Sequence, residues 1–324
     1  MASAAEIRAP NQTNNERGAK VQWLKQIDPD RPILLAGPTA SGKSALALML
    51  ADRFDGVIIN ADALQVYGCW RVLTARPDAA ELALAPHELY GHVGRDQVYS
   101  VGEWLREVSA VLAAQPKRTP IIVGGTGLYL SALSNGLADI PNVRNEVRAT
   151  ADERIKAEGH AGLLADLQKH DPKTAARIDV NNPVRVQRAW EVFQSTATGL
   201  ADWQDNTSAP LVPLEGAVQN ALVIDAPKEW LTPRINKRFA RMMDQGALAE
   251  CRANLVDWDP ARPSDRAIGA ADLIAYLHND LPLEKAVENA TILTRQYAKR
   301  QRSWFRARMR DWTWISPESG ANMA

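Results

Sequence analysis

Residues Gly37-Pro38-Thr39-Ala40-Ser41-Gly42-Lys43-Ser44 place two glycines five positions apart and follow them with a lysine and a serine. The apolar run Ile33-Leu34-Leu35-Ala36 precedes this stretch, and Ala45-Leu46-Ala47-Leu48-Met49-Leu50 continues it as a helix former. A loop of this spacing between strand and helix holds phosphate. Its glycines let backbone N–H groups turn inward, and the helix N-terminus adds partial positive charge. Gly37, Thr39, Ala40, Ser41, Gly42, Lys43 and Ser44 form the expected cradle. Within it, Lys43 would neutralise terminal phosphate oxygens and the Ser44 hydroxyl would hold Mg²⁺.

A second chemical group is Asp62, eighteen positions beyond Ser44 and just past the apolar run Gly56-Val57-Ile58-Ile59. A carboxylate at a strand end beside a phosphate cradle can be a surface cap, a magnesium ligand or a general base. The later apolar run Ile121-Ile122-Val123 ends in Gly124-Gly125-Thr126-Gly127, where an ATP hydrolase would carry its acid. Asp62 is therefore the strand-end carboxylate left for either task, and Thr126 offers a hydroxyl near the phosphates. A third feature lies near the C-terminus. Arg295, Lys299, Arg300, Arg302, Arg306, Arg308 and Arg310 put seven positive charges into sixteen residues without one acid. Arg295, Lys299, Arg302 and Arg306 fall on one helix face, as a surface for a polyanion would.

The elements that must position these groups follow from periodicity. Strands are expected at 33–36, 56–59, 121–123 and 222–225, and 63–99 reads as loops over the sheet's C-terminal edge. A helix is expected over 101–114, where Trp104, Leu105, Val108, Val111 and Leu112 recur at helical spacing. Strand–helix alternation implies an α/β fold, a P-loop NTPase-like parallel sheet flanked by helices, with ligands beyond the strand C-termini. From Asn142 to about Gly199 the chain shows charged helices and no strand. Asn182-Pro183 supplies a cap and a first-turn proline for a helix over 183–196. The rest reads as helices at 231–245, 247–255, 267–277 and 283–309. The expected division is a polar, mobile leader at 1–30, an α/β core at 31–138 and 205–316, an α-helical insertion domain at 139–204, and a tail at 317–324.

Composition narrows the class further. Lys plus Arg and Asp plus Glu are both 38, so the overall balance conceals the basic segment. The two cysteines, Cys69 and Cys251, lack any zinc or redox spacing, which points to a reducing compartment, the cytoplasm. No run is long and apolar enough for a membrane span.

Several segments together resemble one family, the tRNA dimethylallyltransferases. They are GPTASGKS at 37–44, NADALQVY at 60–67, TARP at 74–77, VGGTGLY at 123–129, NNPVRVQRAWEV at 181–192, AIG at 267–269 and TRQYAKRQRSWFR at 294–306. The resemblance implies that the cradle holds the diphosphate of dimethylallyl diphosphate, with Mg²⁺, rather than a nucleotide. The acceptor would be the exocyclic N6 of an adenosine beside the anticodon. Asp62 would be the general base, Thr126 a diphosphate or magnesium contact, and Arg238 a further diphosphate-binding arginine. The tRNA anticodon stem-loop would meet Gln65, Arg185, Arg188, Arg295, Lys299 and Arg302, and the enzyme would act as a monomer. The sequence departs from the family pattern at Ala63, Gly68, Glu88, Asn182 and 270–272, and no role is carried over there. An isopentenyltransferase for free AMP, a P-loop small-metabolite kinase and a non-catalytic RNA-binding module remain open on the residues alone.

Overall fold

The computed structural model describes residues 22–216 and 218–318. The expected leader falls partly outside them, at 1–21, as does the end of the expected tail, at 319–324. The chain divides into two compact units, one running up to Ser131 and again from Val212, the other Ala132–Leu211.

The first unit is built on a six-stranded, wholly parallel sheet in the order β3-β2-β4-β1-β5-β6. Its strands are β1 (Ile33–Ala36), β2 (Gly56–Asn60), β3 (His87–Glu88), β4 (Thr119–Gly124), β5 (Ala221–Ile224) and β6 (Thr313–Ile315). β1, β2 and β5 are buried at every residue, which explains why they read as unbroken apolar runs rather than alternating ones. Helix α1 (Lys43–Phe54) follows β1 and buries Leu46, Ala47, Leu50 and Ala51. The short α2 (Ala79–Leu84) lies between β2 and β3. α3 (Val101–Ala114) starts in a capping box of Ser100 and Glu103 and buries Trp104 and Val108. α4 (Gly127–Asn135) leaves the end of β4.

The second unit consists of α5 (Asn145–Glu158), α6 (Ala161–His170), α7 (Pro172–Arg177), α8 (Pro183–Thr196) and α9 (Leu200–Asp205). Ala151, Leu163, Leu167, Val186, Ala189 and Trp190 form its core. α8 begins at the expected residue: the Asn182 side chain accepts from Arg185 N–H, and Pro183 occupies the first turn. The chain then returns to the first unit through β5, α10 (Lys228–Asp244), α11 (Ala247–Asn254), α12 (Ala270–Leu277) and α13 (Leu283–Arg308).

Three expectations need correction. Residues 22–30 are not a loose leader: Trp23, Leu24 and Ile27 pack into the core beside β1 and α1, and Asn220 Nδ2 donates to Asp28 O at 2.8 Å. The 63–99 segment is not all loop, because Asp78 and Glu81 cap α2 in a second capping box and His87–Glu88 joins the sheet edge. The chain after β5 is not all helix. Thr313–Ile315 pairs in parallel with β5, a strand too short and too polar at its start to announce itself by periodicity.

Candidate active site

Sheet order brings the chemistry together. β2, β4 and β1 are neighbours, so the turn carrying Asp62, the Gly-Gly-Thr turn and the phosphate cradle leave one edge of the sheet side by side. The cradle's curl requires left-handed backbone at Ala40 (φ 63°) and Gly42 (φ 96°). A side chain at position 42 would meet no neighbour, so the glycine is there for its φ. Gly124 is there for space, because a Cβ would lie 2.0 Å from Ala61 O.

Asp62 is held in a turn stitched by the fully buried Asn60. Asn60 Oδ1 accepts from Asp62 N–H at 2.9 Å, and Asn60 Nδ2 donates to Asp62 O at 3.1 Å. Leu64 N–H donates to Asp62 Oδ1 at 3.0 Å, and Oδ2 has no hydrogen-bond partner among the described residues. Thr126 supports this turn rather than facing the cavity. Its hydroxyl oxygen accepts from Ala63 N–H at 2.9 Å.

A cavity of about 50 Å³ gathers Thr39, Asp62, Arg238 and Tyr297 with an apolar wall that includes Leu64, Leu73 and Phe239. Neither Lys43 nor Arg238 has a hydrogen-bond or ion-pair partner within 4 Å among the described residues. Burial pushes the Lys43 ammonium down to about 8; the Asp62 charge opposes that shift and the Arg238 charge adds to it. Burial likewise lowers the Arg238 guanidinium, against Asp62 and Glu81. Two desolvated cations share one carboxylate, so the site has an uncompensated positive charge that suits an anion. Burial first and the Asp62 charge second push the Tyr90 and Tyr297 hydroxyls up, so both stay neutral donors. The Ser41 hydroxyl is buried without a partner in the same loop.

Ser44 stands apart from this cavity, exposed, and lines a smaller pocket with Gln65, Glu81 and His87. No group of three or more His, Cys, Asp or Glu that could cage a metal occurs among the described residues. The Ser44 hydroxyl is an oxygen donor of the kind that suits Mg²⁺, which is held by few protein groups together with phosphate and water. The amide nitrogen of Gln65 is already committed, donating to Thr74 O and Ala75 O at 2.8 and 2.9 Å. Only its carbonyl oxygen is left for an RNA.

α13 presents two different faces. Its inner face carries Thr294 and Tyr297 into the cavity, then Gln301, which is 5% exposed. Gln301 Oε1 accepts from Thr39 N–H at 2.9 Å and Nε2 donates to Gly125 O at 3.0 Å, tying cradle to Gly-Gly-Thr turn. Sequence reasoning missed Gln301 and Tyr297. The available signal was that they stand four apart on the face opposite the basic one. The other face carries Arg295, Lys299 and Arg302, which with Lys228, Leu231 and Ile292 line a groove of about 390 Å³ between α10 and α13. Arg295 donates to Asn236 Oδ1 at 2.9 Å, and Arg306 pairs with Asp225 at 3.4 Å. Lys299 has no acidic partner among the described residues, and Arg302 Nε is buried without a bond. Arg185 and Arg188 are both exposed on α8 in the second unit.

A strand–loop–helix phosphate cradle, a strand-end carboxylate and a glycine-rich turn in place of a hydrolase's acid define a P-loop group transferase. The family model described as IPP transferase matches residues 65–308. The tRNA dimethylallyltransferase of Dinoroseobacter shibae is 57% identical over 296 residues, covering 91% of this chain and 98% of that one. A relative of the same name from Cereibacter sphaeroides (strain ATCC 17023) is 58% identical over 289 residues, covering 89% and 90%. Among solved structures, a eukaryotic dimethylallyltransferase acting on tRNA aligns with a TM-score of 0.75 at 25% identity, covering 89% of this chain and 74% of that one. The tRNA isopentenylpyrophosphate transferase of Bacillus halodurans aligns with a TM-score of 0.61 at 29% identity, covering 89% and 90%. The chain belongs to the IPP transferase family, whose relatives here are tRNA dimethylallyltransferases.

Proposed function

We propose that this enzyme transfers the dimethylallyl group of dimethylallyl diphosphate to the exocyclic N6 of an adenosine next to the anticodon of a tRNA, releasing diphosphate. The observation that carries the reading is the pairing of two unpartnered cations, Lys43 and Arg238, with a carboxylate whose Oδ2 is free. In the reaction the bond from the donor's C1 to the diphosphate oxygen breaks, and its electron pair stays on that oxygen. Lys43, Arg238 and the cradle N–H groups stabilise the growing charge. The N6 lone pair forms the new bond to C1, and the N6 proton passes to Asp62. Thr126 and Asn60 hold the turn that aims Asp62. Mg²⁺, held by the Ser44 hydroxyl, would supply further neutralisation of the diphosphate.

An adenine reacts here only once it leaves its stack, as loop bases of RNA do at the lowest cost. Arg295, Lys299 and Arg302, and Arg185 and Arg188 on the helical unit, would take backbone phosphates of the anticodon stem-loop. The names of the relatives support tRNA over free AMP as acceptor. The working unit would be a monomer. The setting is the cytoplasm, in keeping with the free thiols of Cys69 and Cys251. Incubation with labelled dimethylallyl diphosphate, with tRNA or AMP as acceptor, followed by nucleoside analysis, tests the reading. Label is expected in a tRNA adenosine. Label in AMP alone, or ATP-dependent phosphorylation instead, would overturn it.

A further inference from the structure

The turn at residues 71–75 is clamped from both sides by side chains outside it, and two of its residues, Leu73 and Thr74, wall the cavity that contains Asp62. On one side, three consecutive backbone N–H groups converge on a single carboxylate. Arg71 and Val72 donate to Glu250 Oε1 at 2.6 and 2.9 Å, and Leu73 donates to Oε2 at 2.9 Å. On the other side, Gln65 Nε2 donates to the carbonyls of Thr74 and Ala75. Ala75 is held at φ 50°, a left-handed conformation that an alanine keeps only when its surroundings impose it. Gln65 also belongs to the turn of the proposed base, donating its own N–H to Asp62 O at 3.1 Å. The wall and the base are thus parts of one bonded assembly.

Beside Asp62 and Arg238 the cavity is closed by an apolar wall of Leu64, Leu73, Phe239, Met242 and Ile268, so the position of Leu73 sets how far a prenyl tail can extend. Resting on the prenyl-donor reading above, we propose that Glu250 and Gln65 are positioning residues that fix the Leu73–Thr74 wall and so restrict the donor to a five-carbon prenyl diphosphate. A carboxylate is needed at position 250 because both of its oxygens accept. An amide offers one acceptor and turns its own N–H groups against the third backbone donor.

The test compares kcat/KM for dimethylallyl and geranyl diphosphate on one tRNA, using the full chain and its Glu250→Gln, Glu250→Asp and Gln65→Leu variants. The unaltered enzyme is expected to favour the five-carbon donor strongly. In Glu250→Gln the ratio shifts toward the ten-carbon donor by at least about tenfold. The shift arises in the donor KM, while tRNA affinity is unchanged. Glu250→Asp, which keeps the carboxylate, recovers most of the selectivity. Gln65→Leu moves the ratio the same way, and decides the matter should Glu250→Gln fail to fold. An unaltered ratio in either folded variant overturns the proposal. A parent enzyme that transfers neither prenyl group overturns the donor reading itself, and the wall's assignment with it.

Discussion

Asp62 owes its place to Asn60, which binds the turn through both ends of its amide, and to Thr126, which holds the next residue's N–H. Replacing the carboxylate by its amide leaves these bonds but removes the proton acceptor. Asp62→Asn is therefore expected to lower kcat at least about 10²-fold with little change in tRNA affinity, as read by steady-state kinetics and binding. Near-normal turnover would remove Asp62 from the role. Lys43 gives a second prediction at this scale. Its ammonium titrates near 8 in the folded chain against an ordinary value of 10.5. Raising pH through 8 discharges it, so kcat/KM for the donor is expected to fall above that pH, and Lys43→Arg to abolish the fall. Between 8 and 10.5 the unfolded chain binds more protons at this position, so stability changes the other way, rising with pH. Opposite slopes of activity and stability in that window identify Lys43. Sequence reasoning chose both residues from their places beside strand ends and from the resemblance, but it could not see that Asp62 shares a cavity with Arg238 or that both charges bear on Lys43, because Arg238 is placed by a helix far along the chain.

At the scale of elements, α13 does two jobs because 3.6 residues per turn separate its faces. Thr294, Tyr297 and Gln301 look toward the sheet, and Arg295, Lys299 and Arg302 line the groove beside α10. The basic stripe was legible, since charge and periodicity are local properties. The inner face was not, because Gln301 acquires meaning only through Thr39 and Gly125, which lie 262 and 176 residues away. The two faces separate in experiment. Combined Lys299→Ala and Arg302→Ala changes are expected to weaken tRNA binding and to flatten its salt dependence by about 0.7 to 0.9 in slope per lost phosphate contact. A titration of binding against salt checks this; an unchanged slope would assign those side chains to packing between α10 and α13. The short elements β3 and β6 escaped notice for a related reason. Each has two or three residues, fewer than a periodic pattern needs, and each exists only because a neighbouring strand edge was open to it.

At the scale of the whole molecule, residues 22–30 are part of the fold. Trp23 is 7% exposed within the main core, so Trp23→Ala is expected to cost about 3–5 kcal/mol, measured by the denaturant midpoint. A change below about 0.5 kcal/mol would return residues 22–30 to the status of a leader. That segment looked expendable because its three apolar residues stand among polar ones, and only the face they meet makes them core. The sequence by itself determined the phosphate cradle, the strand-end carboxylate, the long helices with their caps and the family, because these rest on backbone conformation and spacing within a few turns of chain. The tertiary structure alone decided the sheet order that sets Asp62 beside the cradle. It also decided the strap of Gln301, the clamp of Glu250 and Gln65, and the burial of Trp23. Each of those depends on contacts between segments distant in the chain, and no local pattern of residues encodes which distant partner a buried polar or apolar group will find.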